Sequence, residues 1–151
     1  MKRRIAGFTL IEMLVTIAVL AILASIALPN FQAFVVSSRM TAQANDFVTA
    51  LHFARSESVK RNAPVTVAAK GGDWANGWQV VDAGNTVLRD FPPLKSGSSL
   101  EGGTTSVTFL PNGRVNGVAG DIVLELRSTY AGEPGRDITI SPAGRASVSK
   151  P

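Results

Sequence analysis

From Phe8 to Leu28 the chain is an apolar run of 21 residues, FTLIEMLVTIAVLAILASIAL, interrupted by Thr9, Glu12, Thr16 and Ser25. As a helix this run is about 32 Å long at roughly 1.5 Å per residue, matching a bilayer core of about 30 Å. The seven residues ahead of it, MKRRIAG, carry Lys2, Arg3 and Arg4 and no acid. Cations on that side put the N-terminus in the cytoplasm and everything after Asn30 on the far side of the membrane. Leu28-Pro29 closes the run, where a proline kinks or stops a helix.

A basic start and an apolar stretch also describe a removable secretory signal. The run exceeds the roughly 7–15 residues of such a segment, and no small-x-small cleavage site precedes the next polar stretch. A generic N-terminal anchor satisfies hydropathy equally well. Glu12 separates the two cases, because a carboxylate inside an apolar helix costs about 2.5–3.5 kcal/mol and calls for a partner. A free N-terminal ammonium is one such partner, since opposite charges attract strongly in a low-dielectric setting. Thr9 and Thr16 can bond within their own helix.

The remainder is the size of one modest domain. The 151 residues include no cysteine, which excludes disulfides, thiolate metal sites and thiol nucleophiles. Hydrophobic residues at 45% and charged residues at 17% exclude a disordered or collagen-like chain. The formal charge of +4 hints at a nucleic-acid or membrane partner. Yet removing Lys2, Arg3 and Arg4 from the 15 cations leaves 12 against 11 acids.

From Phe31 to about Arg61 the pattern stays helical. Met40, Ala44, Phe47, Leu51, Ala54 and Ser58 recur at spacings of three and four, forming one apolar or small stripe. Arg39, Asp46, Arg55, Glu57 and Lys60 fall off it and read as solvated. Asn62-Ala63-Pro64 ends the helix. The two stretches form one long helix, bent or loosened near Pro29.

Beyond Pro64 short β-like runs alternate with turns. Strands are expected at 65–69, 78–82, 86–90, 106–110, 121–128, 137–141 and 145–149. Gly71-Gly72, Gly84-Asn85, Gly102-Gly103, Pro111-Asn112-Gly113 and Pro142-Ala143-Gly144 read as turns. The fold class is therefore α+β: a long N-terminal helix, half membrane-spanning and half amphipathic, packed on a C-terminal antiparallel β-rich domain. A small sheet needs that helix to bury one face.

Gly7-Phe8-Thr9-Leu10-Ile11-Glu12, followed by the apolar run to Pro29, resembles the type IV prepilin motif. The resemblance implies that a prepilin peptidase cuts between Gly7 and Phe8, and that Phe8 becomes the N-methylated first residue. It further implies that Glu12 sets register as a subunit enters the filament. The segments are then a leader (1–7), a transmembrane and filament-core helix (8–29), an amphipathic helix (30–62) and a globular domain (63–151).

The stretch Ala54-Arg55-Ser56-Glu57-Ser58-Val59-Lys60-Arg61-Asn62, with Gly77-Trp78, Phe109 to Arg114 and Ile138 to Arg145, is similar to the GspH/FimT (FimU-like) group. That group comprises minor pilins of type IV pili and minor pseudopilins of type II secretion. The resemblance implies a pilin-like fold, anchoring in the inner membrane with a periplasmic domain, and partnership with other major and minor pilins. It implies a role in priming and assembling a filament, with adhesion, twitching motility or DNA uptake downstream. The pilus and secretion branches both remain open.

Side-chain inventory supports no enzyme, cofactor or metal site. His52 is the sole histidine and reads as a packed or half-exposed helix residue; acids are scattered, and the glycines punctuate hairpins. Trp74 and Trp78 read as cover for the sheet. DNA binding is the rival function, because FimT-type proteins use a C-terminal Gly-Arg-x-Arg motif. Here the matching residues are Gly144-Arg145-Ala146-Ser147, so a serine replaces the second arginine. Arg136, Arg145 and Lys150 are the candidate DNA contacts, and three cations give only a weak, salt-sensitive interaction.

Overall fold

The computed structural model describes residues 8–151. Helix α1 spans Leu10–Arg61, 52 residues, or about 78 Å at roughly 1.5 Å per residue. It runs through Pro29 without interruption, where the sequence suggested loosening. Proline has no N–H to give the Ser25 carbonyl, and the Asn30 side chain donates to the neighbouring Ile26 carbonyl at 3.1 Å. At its far end Asn62 adopts a positive φ of 51°. Asn62 N–H bonds Val59 O at 3.3 Å and Ala63 N–H bonds Ser58 O at 3.2 Å, a Schellman cap that returns two orphan carbonyls to use. Pro64 follows, and the helix cannot resume.

The chain forms two compact units, the first ending at Val35 and the second being Val36–Pro151. In the first, every described residue of α1 is solvent-exposed, including Leu14, Ile17, Leu20 and Ile26. Such a surface is at equilibrium only in lipid or against other apolar helices.

The second unit holds eight strands in two antiparallel sheets. One is ordered β3 (Val87–Asp90), β2 (Trp78–Asp82), β1 (Val65–Ala69), β5 (Ser106–Phe109). The other is ordered β4 (Ser98–Gly102), β6 (Ile122–Ser128), β7 (Arg136–Ile140), β8 (Ala146–Ser149). The helix stripe is buried along its whole length, from Met40 through Ala44, Phe47, Leu51 and Ala54 to Ser58. It joins Val65, Val67, Val80, Val107 and Phe109 of the first sheet and Leu100, Leu124, Leu126, Ile138 and Ile140 of the second in a single core. Phe47 meets Trp74 and Trp78 edge-on, with ring centroids 5.1 and 5.0 Å away, so both tryptophans are core residues.

Three departures from the sequence expectation have physical causes. Strand β4 reads as polar and glycine-rich, and only Leu100 in it is buried. Its last residue, Gly102, was read as a turn but pairs with Leu124, whose side chain occupies the space a Cβ would need. Glu57, assigned to a solvated face, is buried and held by Arg61 Nε at 2.6 Å and Lys60 at 3.3 Å. Gln43 is a missed anchor: its Oε1 accepts from Lys95 N–H at 2.7 Å while its Nε2 donates to Ser98 Oγ at 3.0 Å.

Two turns of like sequence, Pro111-Asn112-Gly113-Arg114 and Pro142-Ala143-Gly144-Arg145, lie against each other. In each the glycine is left-handed (φ 75° and 77°) and donates to the residue three positions back, Leu110 or Ser141. The residue that opens each turn then donates to the arginine carbonyl, Leu110 to Arg114 and Ser141 to Arg145, which is a type I turn with a glycine bulge. Arg55 of α1 donates Nε–H to Gly113 O at 2.9 Å, with Gly144 packed on the same carbonyl.

Candidate processing and assembly site

Lys2, Arg3, Arg4 and Gly7 lie outside the described residues. Phe8 is 78% exposed, immediately ahead of the helix. Thr9 and Glu12 close on one another reciprocally. Glu12 N–H donates to Thr9 Oγ1 at 3.3 Å, and Thr9 N–H donates to Glu12 Oε2 at 3.2 Å. This is a capping box, which satisfies two of the orphan donors at the start of α1 and sets the acid near the positive end of the helix dipole. Thr9 Oγ1 also donates to Glu12 Oε2, at 3.1 Å. Thr9 is thus satisfied within its own helix, as its sequence position suggests, and its partner is Glu12. The signal was present as a threonine followed three residues later by a glutamate.

The C-terminal cations do not form the expected cluster. Arg136 is 4% exposed and opens β7 facing α1. Its Nη1 pairs with Glu133 and the Gly135 carbonyl, and its Nη2 reaches Ser37 O at 3.2 Å, Ser37 Oγ at 3.0 Å and Thr41 Oγ1 at 3.0 Å. Both terminal nitrogens of this buried guanidinium are engaged within the protein, so Arg136 is a structural residue and is not presented to a phosphate. Burial pushes the Glu133 carboxyl up, but the bonds from Arg136 and Ser37 outweigh it and hold that carboxyl below the usual range. Arg145 and Lys150 are exposed. By themselves these two cations give a phosphate backbone only a weak, salt-sensitive contact.

Of the packed and half-exposed alternatives for His52, the structure places the side chain at the solvent-facing surface of α1. Among the described residues no group of three or more His, Asp or Glu is placed to hold a metal ion.

A family model described as type II transport protein GspH matches residues 43–144, which cover the buried helix stripe from Ala44 to Ser58 and all strands except β8. The chain belongs to the GspH family. A prokaryotic N-terminal methylation motif matches residues 2–28, covering the glycine, the aromatic, the acid and the apolar run. The fold of this GspH-family chain is similar to crystal structures of the type IV minor pilin FimU from Pseudomonas aeruginosa. In the P21 crystal form the TM-score is 0.66 at 22% identity, covering 77% of this chain and 92% of that one. In the P65 form it is 0.62 at 23% identity, covering 72% and 91%. No curated protein matches the chain in sequence. The family match and the helix-on-sheets architecture agree with the pilin-like α+β expectation, and α1 is long and apolar enough to cross a membrane.

Proposed function

We infer that this GspH-family chain is a minor pilin, made as a membrane precursor and incorporated into a type IV filament. The observation that carries the reading is the methylation motif at 2–28 standing ahead of a GspH domain. A prepilin peptidase cuts between Gly7 and Phe8, Phe8 is methylated, and the Glu12 carboxylate meets an incoming ammonium as subunits stack. The apolar half of α1 leaves the bilayer for the filament core, where small and apolar side chains pack against neighbouring helices. The N-terminus faces the cytoplasm before assembly and the two-sheet unit faces the periplasm. The protein binds other pilins, helps to prime the filament, and catalyses nothing. The description of the matched family favours a second reading in the same class, a minor pseudopilin of type II secretion.

The test is the N-terminus of the mature chain. Mass spectrometry of membranes from cells with the peptidase should show a chain beginning at methylated Phe8, and a Gly7→Ala precursor should stay uncut. A wild-type chain that keeps Met1, or one cut elsewhere, overturns the processing reading. Deletion of neighbouring pilus or secretion genes separates the two branches, because only the cognate system loses function with this subunit.

A further inference from the structure

The two sheets of the second unit end in four edges, and three of them are blunted. At β3 the edge carries Arg89 and Asp90, and its register with β2 shifts between Val80 and Val81. At β5, Asn116 N–H takes the Thr108 carbonyl, while Thr104 Oγ1 donates to Ser106 O and accepts from Ser106 N–H. Against β4 packs the helical turn Trp74–Asn76. Charge, bulge, side-chain capping and cover are the usual means of closing a sheet edge.

Strand β8 has none of them. Ala146-Ser147-Val148-Ser149 contains no charge and no proline, and it pairs with β7 in unbroken register. Ser141 N–H bonds Arg145 O at 2.9 Å, so the hydrogen-bonded pairs fall at Thr139–Ser147 and Asp137–Ser149. The intervening residues, Ala146 and Val148, turn their N–H and C=O groups away from β7. Neither has a hydrogen-bond partner elsewhere among the described residues. Val148 is 36% exposed, and Ser147 and Ser149 are exposed.

We propose that β8 is a docking edge that adds an extended strand from a neighbouring pilin-type subunit, whose strand carries acidic residues at both ends. The flanking charges select that partner. Arg145 and Lys150 bracket the strand, both exposed, and neither has an acid within salt-bridge reach among the described residues. A second copy of β8 paired antiparallel through the outward amides of Ala146 and Val148 centres on Ser147 or on Val148 and brings another strand flanked only by cations. Such a pair offers Arg145 and Lys150 no acid, whereas an acid-flanked strand neutralises both. Main-chain bonds at Ala146 and Val148 supply the attachment, and Val148 supplies an apolar contact.

This inference rests on the filament-subunit reading, and its test keeps the two apart. The full-length chain is expressed in filament-bearing cells lacking their own copy, as wild type, Val148→Pro and Ser147→Pro. Proline at 148 removes an outward N–H and leaves the β7 ladder intact, whereas proline at 147 removes an inward one. Val148→Pro should keep wild-type abundance and thermal stability, yet its recovery in sheared filaments should fall about tenfold, since its ring removes the docking donor. Ser147→Pro should lose stability. Val148→Pro incorporated as well as wild type overturns the edge proposal and leaves the filament reading standing. Wild-type chain absent from filaments overturns both.

If Val148→Pro is itself unstable, amide exchange in the wild-type protein decides. The amides of Ala146 and Val148 should exchange more slowly in assembled filaments than in the solubilised chain, and equal rates overturn the proposal. A photo-cross-linking residue at position 147 should join a strand-forming, acid-flanked segment of another pilin-type subunit. Cross-links to a second copy of this chain or to DNA overturn it.

Discussion

The guanidinium of Arg136 and the backbone of Ser37, 99 positions apart, are joined where α1 first enters the second unit, with Nη2 donating to both the Ser37 carbonyl and its hydroxyl. Glu133 neutralises the same guanidinium from the loop before β7, with side chains only 5% and 6% exposed. Breaking such a pair strands a charge in a buried site. Arg136→Ala should therefore cost about 3–5 kcal/mol in urea unfolding of the full-length chain in detergent, and exposed Arg145→Ala should stay within about 0.5 kcal/mol. Equal stabilities for the two variants would contradict the structural assignment of Arg136.

Stability should fall on acidification, through three carboxyls whose folded-state values lie below normal. The Arg61 hydrogen bond lowers Glu57 against the effect of burial, with Lys60 adding to it. The Thr86 N–H, opposed by burial and helped by the Gly84 N–H, lowers Asp82. Glu133 is raised by burial and lowered further by Arg136 and Ser37. A group depressed in the folded state binds fewer protons there than in the unfolded chain. Its contribution is complete above the ordinary carboxylate range and disappears as pH falls through the folded value. Thermal unfolding should thus be flat near neutrality and drop as pH falls below about 5, through the ordinary carboxylate range and beyond it. The drop should shrink in Glu133→Gln, and an unchanged profile there would remove Glu133 from the account.

Gly144→Ala should be among the most damaging small substitutions. At φ 77° a side chain is strained, and its Cβ would collide with the Gly113 carbonyl. Backbone strain alone costs about 1–3 kcal/mol, and the collision adds to it. Gly132 makes the control, having φ 91° but open space around it. Gly132→Ala should show the strain without the collision, and chemical denaturation that ranks the two equally would refute the packing of the paired turns.

The Thr9–Glu12 box lets capping be separated from charge. Glu12→Gln retains an oxygen for Thr9 N–H but no negative charge, since glutamine serves in the same box. It should leave processing and helix onset intact and still reduce filament incorporation. Thr9→Ala removes the cap, at about 0.5–2 kcal/mol, while keeping the acid. Incorporation that fails in Thr9→Ala but survives in Glu12→Gln would make the glutamate a helix cap and nothing more.

The buried stripe from Met40 to Ser58 was legible because helix periodicity survives in sequence, and so were seven of the strands, whose ends shift by only a residue. Strand β4 was not, since burial falls on Leu100 alone and its glycine serves a close approach to Leu124. Arg136 read as a surface cation because its partners Ser37 and Thr41 lie on a distant helix and its neighbour Asp137 pairs with Arg127 instead. Gln43 went unread for the same reason, its partners Lys95 and Ser98 lying 52 and 55 positions away, whereas Glu57 is buried although its ion partners Lys60 and Arg61 are neighbours on its own helix. The capping box, by contrast, is local, and its spacing was there to be read.

The meeting of Arg55 with the paired turns has a mechanical consequence. One turn follows β5 of the first sheet and the other joins β7 to β8 of the second, so a single helix side chain is tied to a point where both sheets converge. Tension drawn along α1 enters the two sheets in parallel, as a shear across several bonds at once. Neither sheet is left to be unzipped strand by strand from the helix.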